Sequence, residues 1–215
     1  MKTRLIAPLL VLLATCLQAQ PAWAVISAAE AMNLSGMQRM LSQRIAKSYL
    51  MLGAEVRPEQ AGQQLDQSIA KFESNYLALS EYAPTAEIRT ALAQAGATWQ
   101  QYREQVLTRP DKAGALQVLD LSDQLLSQSE KVVQLLEQHS GGHSAVLVNR
   151  SGRQRMLSQR IAKLYLAISW RLPVEGLQPQ FEQAVAEFER ALGELQQARQ
   201  NTPAIRQGLQ QAEAQ

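Results

Sequence analysis

The phrase "SGMQRMLSQRIAK" occupies residues 35–47, and "SGRQRMLSQRIAK" occupies residues 151–163. Extended to the preceding asparagines, residues 33–47 and 149–163 agree at thirteen of fifteen positions, at a constant offset of 116. The exceptions are Leu34 against Arg150 and Met37 against Arg153. The offset continues outward, pairing Tyr49 with Tyr165, Leu65 with Phe181 and Phe72 with Phe188. With one residue inserted, "EIRTALAQAGAT" then aligns with "AIRQGLQQAEAQ". A fixed period of this kind is the mark of a tandem duplication of one structural unit.

The unit is helical. Ala, Leu, Gln, Glu and Arg dominate, all good helix formers, and almost no segment alternates with the period of a strand. Gly and Pro divide the chain into pieces of helical length at "GAEVRP", "YAPT", "TRPDK", "HSGGH", "RLPVEG" and "QNTP". Helices are expected over residues 26–53, 59–81, 85–108, 112–139, 144–171, 178–200 and 203–214. An all-α, antiparallel up-down bundle follows from the short connections. Two units are expected, 25–140 with four helices and 141–215 truncated, because the second repeat reaches only the counterpart of Trp99. The absent fourth helix is to be borrowed from elsewhere in the fold or supplied by another chain.

Residues 1–24 are expected to be a signal peptide. Lys2 and Arg4 precede an apolar run that ends on the small-x-small pattern Ala22-Trp23-Ala24. An uncleaved anchor and a lipid-modified Cys16 are the alternatives, although Thr15 suits a lipobox poorly. Removal of the signal leaves 21 − 2 = 19 basic against 19 acidic residues. A formally neutral, periplasmic product is not a nucleic-acid binder. The single cysteine leaves with the signal, which excludes a disulfide framework and thiol catalysis.

Mapped at 100° per residue with Met37 at zero, an arc about 140° wide holds Met40, Met51, Leu41, Leu52, Leu34 and Ile45. Arg44 falls in the middle of that arc, with Asn33 and Ser48 beside it. Arg39 falls nearly opposite, with Ala46 and Leu50. In the second repeat Arg160 takes the place of Arg44, and Arg153 and Arg150 join the same arc. A guanidinium within an apolar stripe must be paired, and its planar fork suits a carboxylate or a small oxyanion. Two readings stand: internal pairing with Asp120, Asp123, Glu130 or Glu187, or an anion cradle.

The two phrases resemble the signature of the PilJ-type, NarX-like sensor module, found in periplasmic parts of nitrate/nitrite sensors and of a type IV pilus chemotaxis transducer. That resemblance implies a four-helix bundle whose first helices meet at a dimer interface and hold an anion between paired arginines. Carried over by position, it puts the ligand-contacting arginine at Arg44 and Arg160, and the face map sets Asn33, Asn149, Arg153 and Ser48 around them as further binding residues. Arg39, Arg155, Gly36 and Gly152 become supporting positions. Here "MLSQR" is nearer the pilus transducer than the nitrate sensors, and Leu34 and Arg150 stand where the sensors carry lysine.

The function expected is an exported, non-enzymatic sensory module without cofactor. It is to bind a small oxyanion such as nitrate or nitrite between residues 26–53 and 144–171, and to act through a membrane-bound transducer or sensor. A homodimer is a further expectation, and a ligand-free helical adaptor is the alternative. His139 and His143 have a metal-compatible spacing, but two glycines lie between them and no acid or thiol cluster joins them.

Overall fold

The computed structural model describes residues 26–213 apart from Gly142 and Arg199. The proposed signal peptide, Cys16 and the His143 side chain lie outside the described residues. Seven helices follow one another: α1 (Ala28–Gly53), α2 (Pro58–Tyr82), α3 (Ala86–Val106), α4 (Lys112–Ser140), α5 (His143–Ser169), α6 (Leu177–Gln196) and α7 (Pro203–Glu213). Among the described residues there is no strand, and no helix is long and apolar enough to cross a membrane.

The helix starts follow local chemistry. Ser27, Thr85 and Asp111 accept the backbone N–H three residues on from α1, α3 and α4, satisfying donors that the first turn leaves open. Pro58 opens α2, where no N–H is required. Gly141 ends α4 in the left-handed region at φ 52°, a conformation glycine adopts without steric cost.

Helices α1 to α4 form one bundle, with α1 against α2 and α4, and α3 against α4. Its centre is aromatic: Phe72 stacks on Trp99 at 4.0 Å, and Trp99 meets Tyr102 edge-on at 6.1 Å. Tyr102 is fully buried and donates its hydroxyl to the Ser42 carbonyl at 2.8 Å. Helix α5 lies along the far side of α1, α6 packs on α5, and α7 packs on α6. The two motif helices run in the same direction. Gly36 faces Gly152 near one end, and Gly53 lies against Trp170 at the other.

Helix α1 is thus enclosed by α2, α4 and α5, and this corrects the face map. Arg39, mapped opposite the apolar arc, is fully buried, whereas Arg44, mapped to its middle, is only half-buried. A single apolar stripe describes a helix with one wet face; a central helix is buried all round.

Candidate functional site

The motif builds the seam between the repeats. At the crossing of α1 and α5 the Gly36 and Gly152 backbones nearly touch, since a Cβ placed on Gly152 would lie 3.4 Å from Cα of Gly36. Glycine permits that approach, and the asparagines and arginines of the two motifs then meet reciprocally. Arg39 donates from Nη2 to Oδ1 of Asn149 at 2.7 Å and to its carbonyl at 3.2 Å. Arg155 donates from Nη2 to Oδ1 of Asn33 at 3.2 Å. Both bonds cross from one repeat to the other.

The glutamines do the same work inside each unit. Gln38 donates to the Phe72 carbonyl of α2 at 3.1 Å, and Gln154 donates to the Phe188 carbonyl of α6 at 3.0 Å. Both tie the motif helix to the helix that follows. Gln43 reaches instead to α4, donating to the Ser122 carbonyl at 3.0 Å.

The symmetry breaks at the charges. Arg39 completes its fork with Glu130 of α4, Nη1 to Oε2, at 2.7 Å. Its Nε is buried without a hydrogen-bond partner. Arg155, in the equivalent place on α5, is exposed and has no carboxylate partner among the described residues. Its guanidinium end is nonetheless partly covered beside Gly152, and that burial first, and then the charge of Arg39, lower its pKa. The two guanidiniums converge: a Cβ on Gly152 would sit 3.1 Å from Nη2 of Arg39 and 3.8 Å from Nη2 of Arg155.

The other arginines are placed differently. Arg160 turns to Asp123 of α4, Nη1 to Oδ1, at 3.7 Å. Arg153 is ion-paired with Glu187 of α6, and Arg150 stands 3.9 Å from Glu194. Arg153 and Arg160 line a cleft of about 440 Å³ between α4, α5 and α6, which they share with Asp123, Glu130 and Glu187. Arg44 does not line it; its guanidinium makes no hydrogen bond or ion pair among the described residues. Ser48 is occupied locally, donating to the Arg44 carbonyl at 2.9 Å and to Oε1 of Gln64 at 3.2 Å. The two helices meet as expected, but Arg44 and Arg160 do not share a described cleft. The residues brought together are Arg39, Arg155, Asn33, Asn149, Gly36 and Gly152.

One residue escaped the sequence reading. Lys163 is fully buried and donates from Nζ to Oδ1 of Asp123 at 2.8 Å and to Oγ of Ser122 at 3.0 Å. Burial lowers its pKa, and the Asp123 carboxylate opposes that shift. The signal was present, because Lys163 closes the repeated phrase and Lys47 closes the first copy. Lys47 too is pushed down, by burial and then by Arg44. Among the described residues no group of three or more His, Cys, Asp or Glu is placed to hold a metal.

The family of type IV pili methyl-accepting chemotaxis transducer N-terminal domains, PilJ, matches residues 22–125 and again residues 135–214. No curated protein and no solved structure matches the chain. The two family matches fall on the two repeats and together take in most of the sequence, each holding one motif helix of the seam. The chain belongs to the PilJ family of chemotaxis-transducer sensory modules and carries that module twice.

Proposed function

We propose that the protein is an exported, non-catalytic sensory module that binds a small oxyanion, nitrate or nitrite, at the α1–α5 seam and acts through a membrane-bound transducer or sensor. The observation that carries this reading is the convergence of Arg39 and Arg155 on the Gly152 backbone. Two neighbouring like charges repel, and an anion between them turns repulsion into two charge-assisted hydrogen bonds. The pKa of Arg155 is lowered by burial first, and the charge of Arg39 adds to that shift. The unpartnered Nε of Arg39 is a donor with capacity to spare, and Asn33 and Asn149 hold both guanidiniums in position. On this reading the anion is bound by Arg39 and Arg155, the third residues of "MQRM" and "RQRM", rather than by Arg44 and Arg160, whose surroundings differ on the two helices.

The Arg39–Glu130 pair favours a second reading, a helical adaptor whose arginines serve the fold alone. Calorimetric titration with nitrate and nitrite at low chloride separates the two. The sensor gives saturable heat that Arg155→Ala abolishes while leaving the helical spectrum unchanged. A folded protein that gives no heat with either anion is the adaptor.

A further inference from the structure

Helix α4 covers a stripe of α1 formed by Ser35, Arg39, Ser42, Ala46 and Tyr49, all of them essentially fully buried. Their counterparts on α5 are Ser151, Arg155, Ser158, Ala162 and Tyr165, identical in all five residue types. Four of these five are exposed, Ala162 is half-buried, and Tyr165 shows 60% of its surface to solvent. The spacing i, i+4, i+7, i+11, i+14 is one continuous helix face. The same face is therefore covered in one repeat and bare in the other.

The cations divide by which side of the α1–α5 pair they lie on, not by repeat. On the side that α4 covers, Glu130 takes Arg39 of α1, and Asp123 takes both Arg160 and Lys163 of α5. These two acids are seven residues apart on α4, on one face. The counterparts of those three cations are Arg155, Arg44 and Lys47, and none has a carboxylate partner among the described residues. Ile205 of α7 adds an apolar edge; it is 48% exposed, whereas Ile88, its aligned residue on α3, is buried against Val132 and Val133 of α4.

We propose that this bare α5 face, together with Arg44 and Lys47 of the adjoining α1, is a docking site for an amphipathic helix of a partner protein with the chemistry of α4. That helix carries two carboxylates seven residues apart, for Arg155 and for the Arg44–Lys47 pair, and a small residue opposite Tyr165. The last requirement is read from Gly114, where a Cβ would lie 2.5 Å from Oη of Tyr49. Charge selects a partner over a second copy of this chain, because two such faces brought together set Arg155 against Arg155. The inference rests on the partner half of the function proposed above and not on the anion.

The natural probe is α4 itself, a labelled synthetic peptide of Lys112–Ser140, titrated into the purified chain in buffer without nitrate or nitrite. Anisotropy should show saturable one-to-one binding. Arg155→Glu in the protein should weaken it at least tenfold, and a peptide carrying Glu130→Arg should recover most of the loss. Absence of binding overturns the proposal. So does binding indifferent to Arg155→Glu, which means the peptide has displaced the chain's own α4 from α1. A wild-type dimer in sedimentation that Arg155→Glu splits, and that takes no peptide, overturns it in favour of a second copy. An anion that fails to bind leaves the peptide result intact, so the two readings fail separately.

Discussion

Arg39 and Arg155 are the same residue of the same phrase, and their environments set different energetic roles. Arg39 is enclosed and joined to Glu130 and Asn149; removing it strands a carboxylate that is only 25% exposed. Breaking a buried pair from one side costs roughly 3 kcal/mol or more. Arg155 is exposed and strands no carboxylate when truncated, so its removal forfeits the hydrogen bond to Asn33, about 1 kcal/mol. Urea unfolding of Arg39→Ala and Arg155→Ala should therefore differ by well over 1 kcal/mol, although the substitutions look identical in sequence. Equal losses would mean that Glu130 contributes little to holding the seam. At this scale the sequence was half legible. The thirteen shared positions pointed to residues under constraint, and the glycine, asparagine and glutamine contacts explain them. Which arginine was interior was not legible, because the burial of Arg39 depends on a fourth helix 91 residues away.

At the scale of helices the reading was close, with each expected segment found within a few residues of its place. Caps and breakers are local chemistry, so Ser27, Pro58, Thr85, Asp111 and Gly141 carried that information in the sequence itself. Packing order is not local. The contact of α5 with α4 includes Lys163, a lysine whose burial no periodicity announces. Its lowered pKa has a consequence for stability against pH. Between the folded value and the ordinary one near 10.4, the unfolded chain binds more protons at this site than the native one. Stability should then rise with pH as the ordinary lysine value is approached from below. Lys163→Met should flatten that rise, read as urea midpoints from neutral pH to about 9.5. The scan stops there because Tyr102, whose pKa burial pushes up, acts with the opposite sign above the ordinary tyrosine value near 10. An unchanged slope in the variant would remove Lys163 as its source.

For the molecule as a whole, the anion and the partner helix converge on one guanidinium. Arg155 lies at the seam with Arg39 and on the bare face of α5, so both ligands draw on its remaining donors. Two ligands that compete for one group are coupled, and the coupling is reciprocal. Nitrate should weaken binding of the Lys112–Ser140 peptide, and the peptide should weaken nitrate by the same factor, measurable by titrating each in the presence of the other. Independent titrations would show that the two sites do not share Arg155. A bound state readable at a helix-docking face is what a sensory module needs in order to report to another protein.

The parallel pair α1 and α5 has one more consequence. Two motif helices on separate polypeptides must find each other, and their contact falls apart at low concentration. Here one polypeptide, running on past Gly141 at the end of α4, joins the two halves covalently, so the local concentration of one for the other stays high however dilute the protein becomes. The Gly36–Gly152 crossing stays shut in a lone molecule far from any other, and the two sides of the seam, no longer bound to be identical, are free to drift into the unlike halves seen at Arg39 and Arg155.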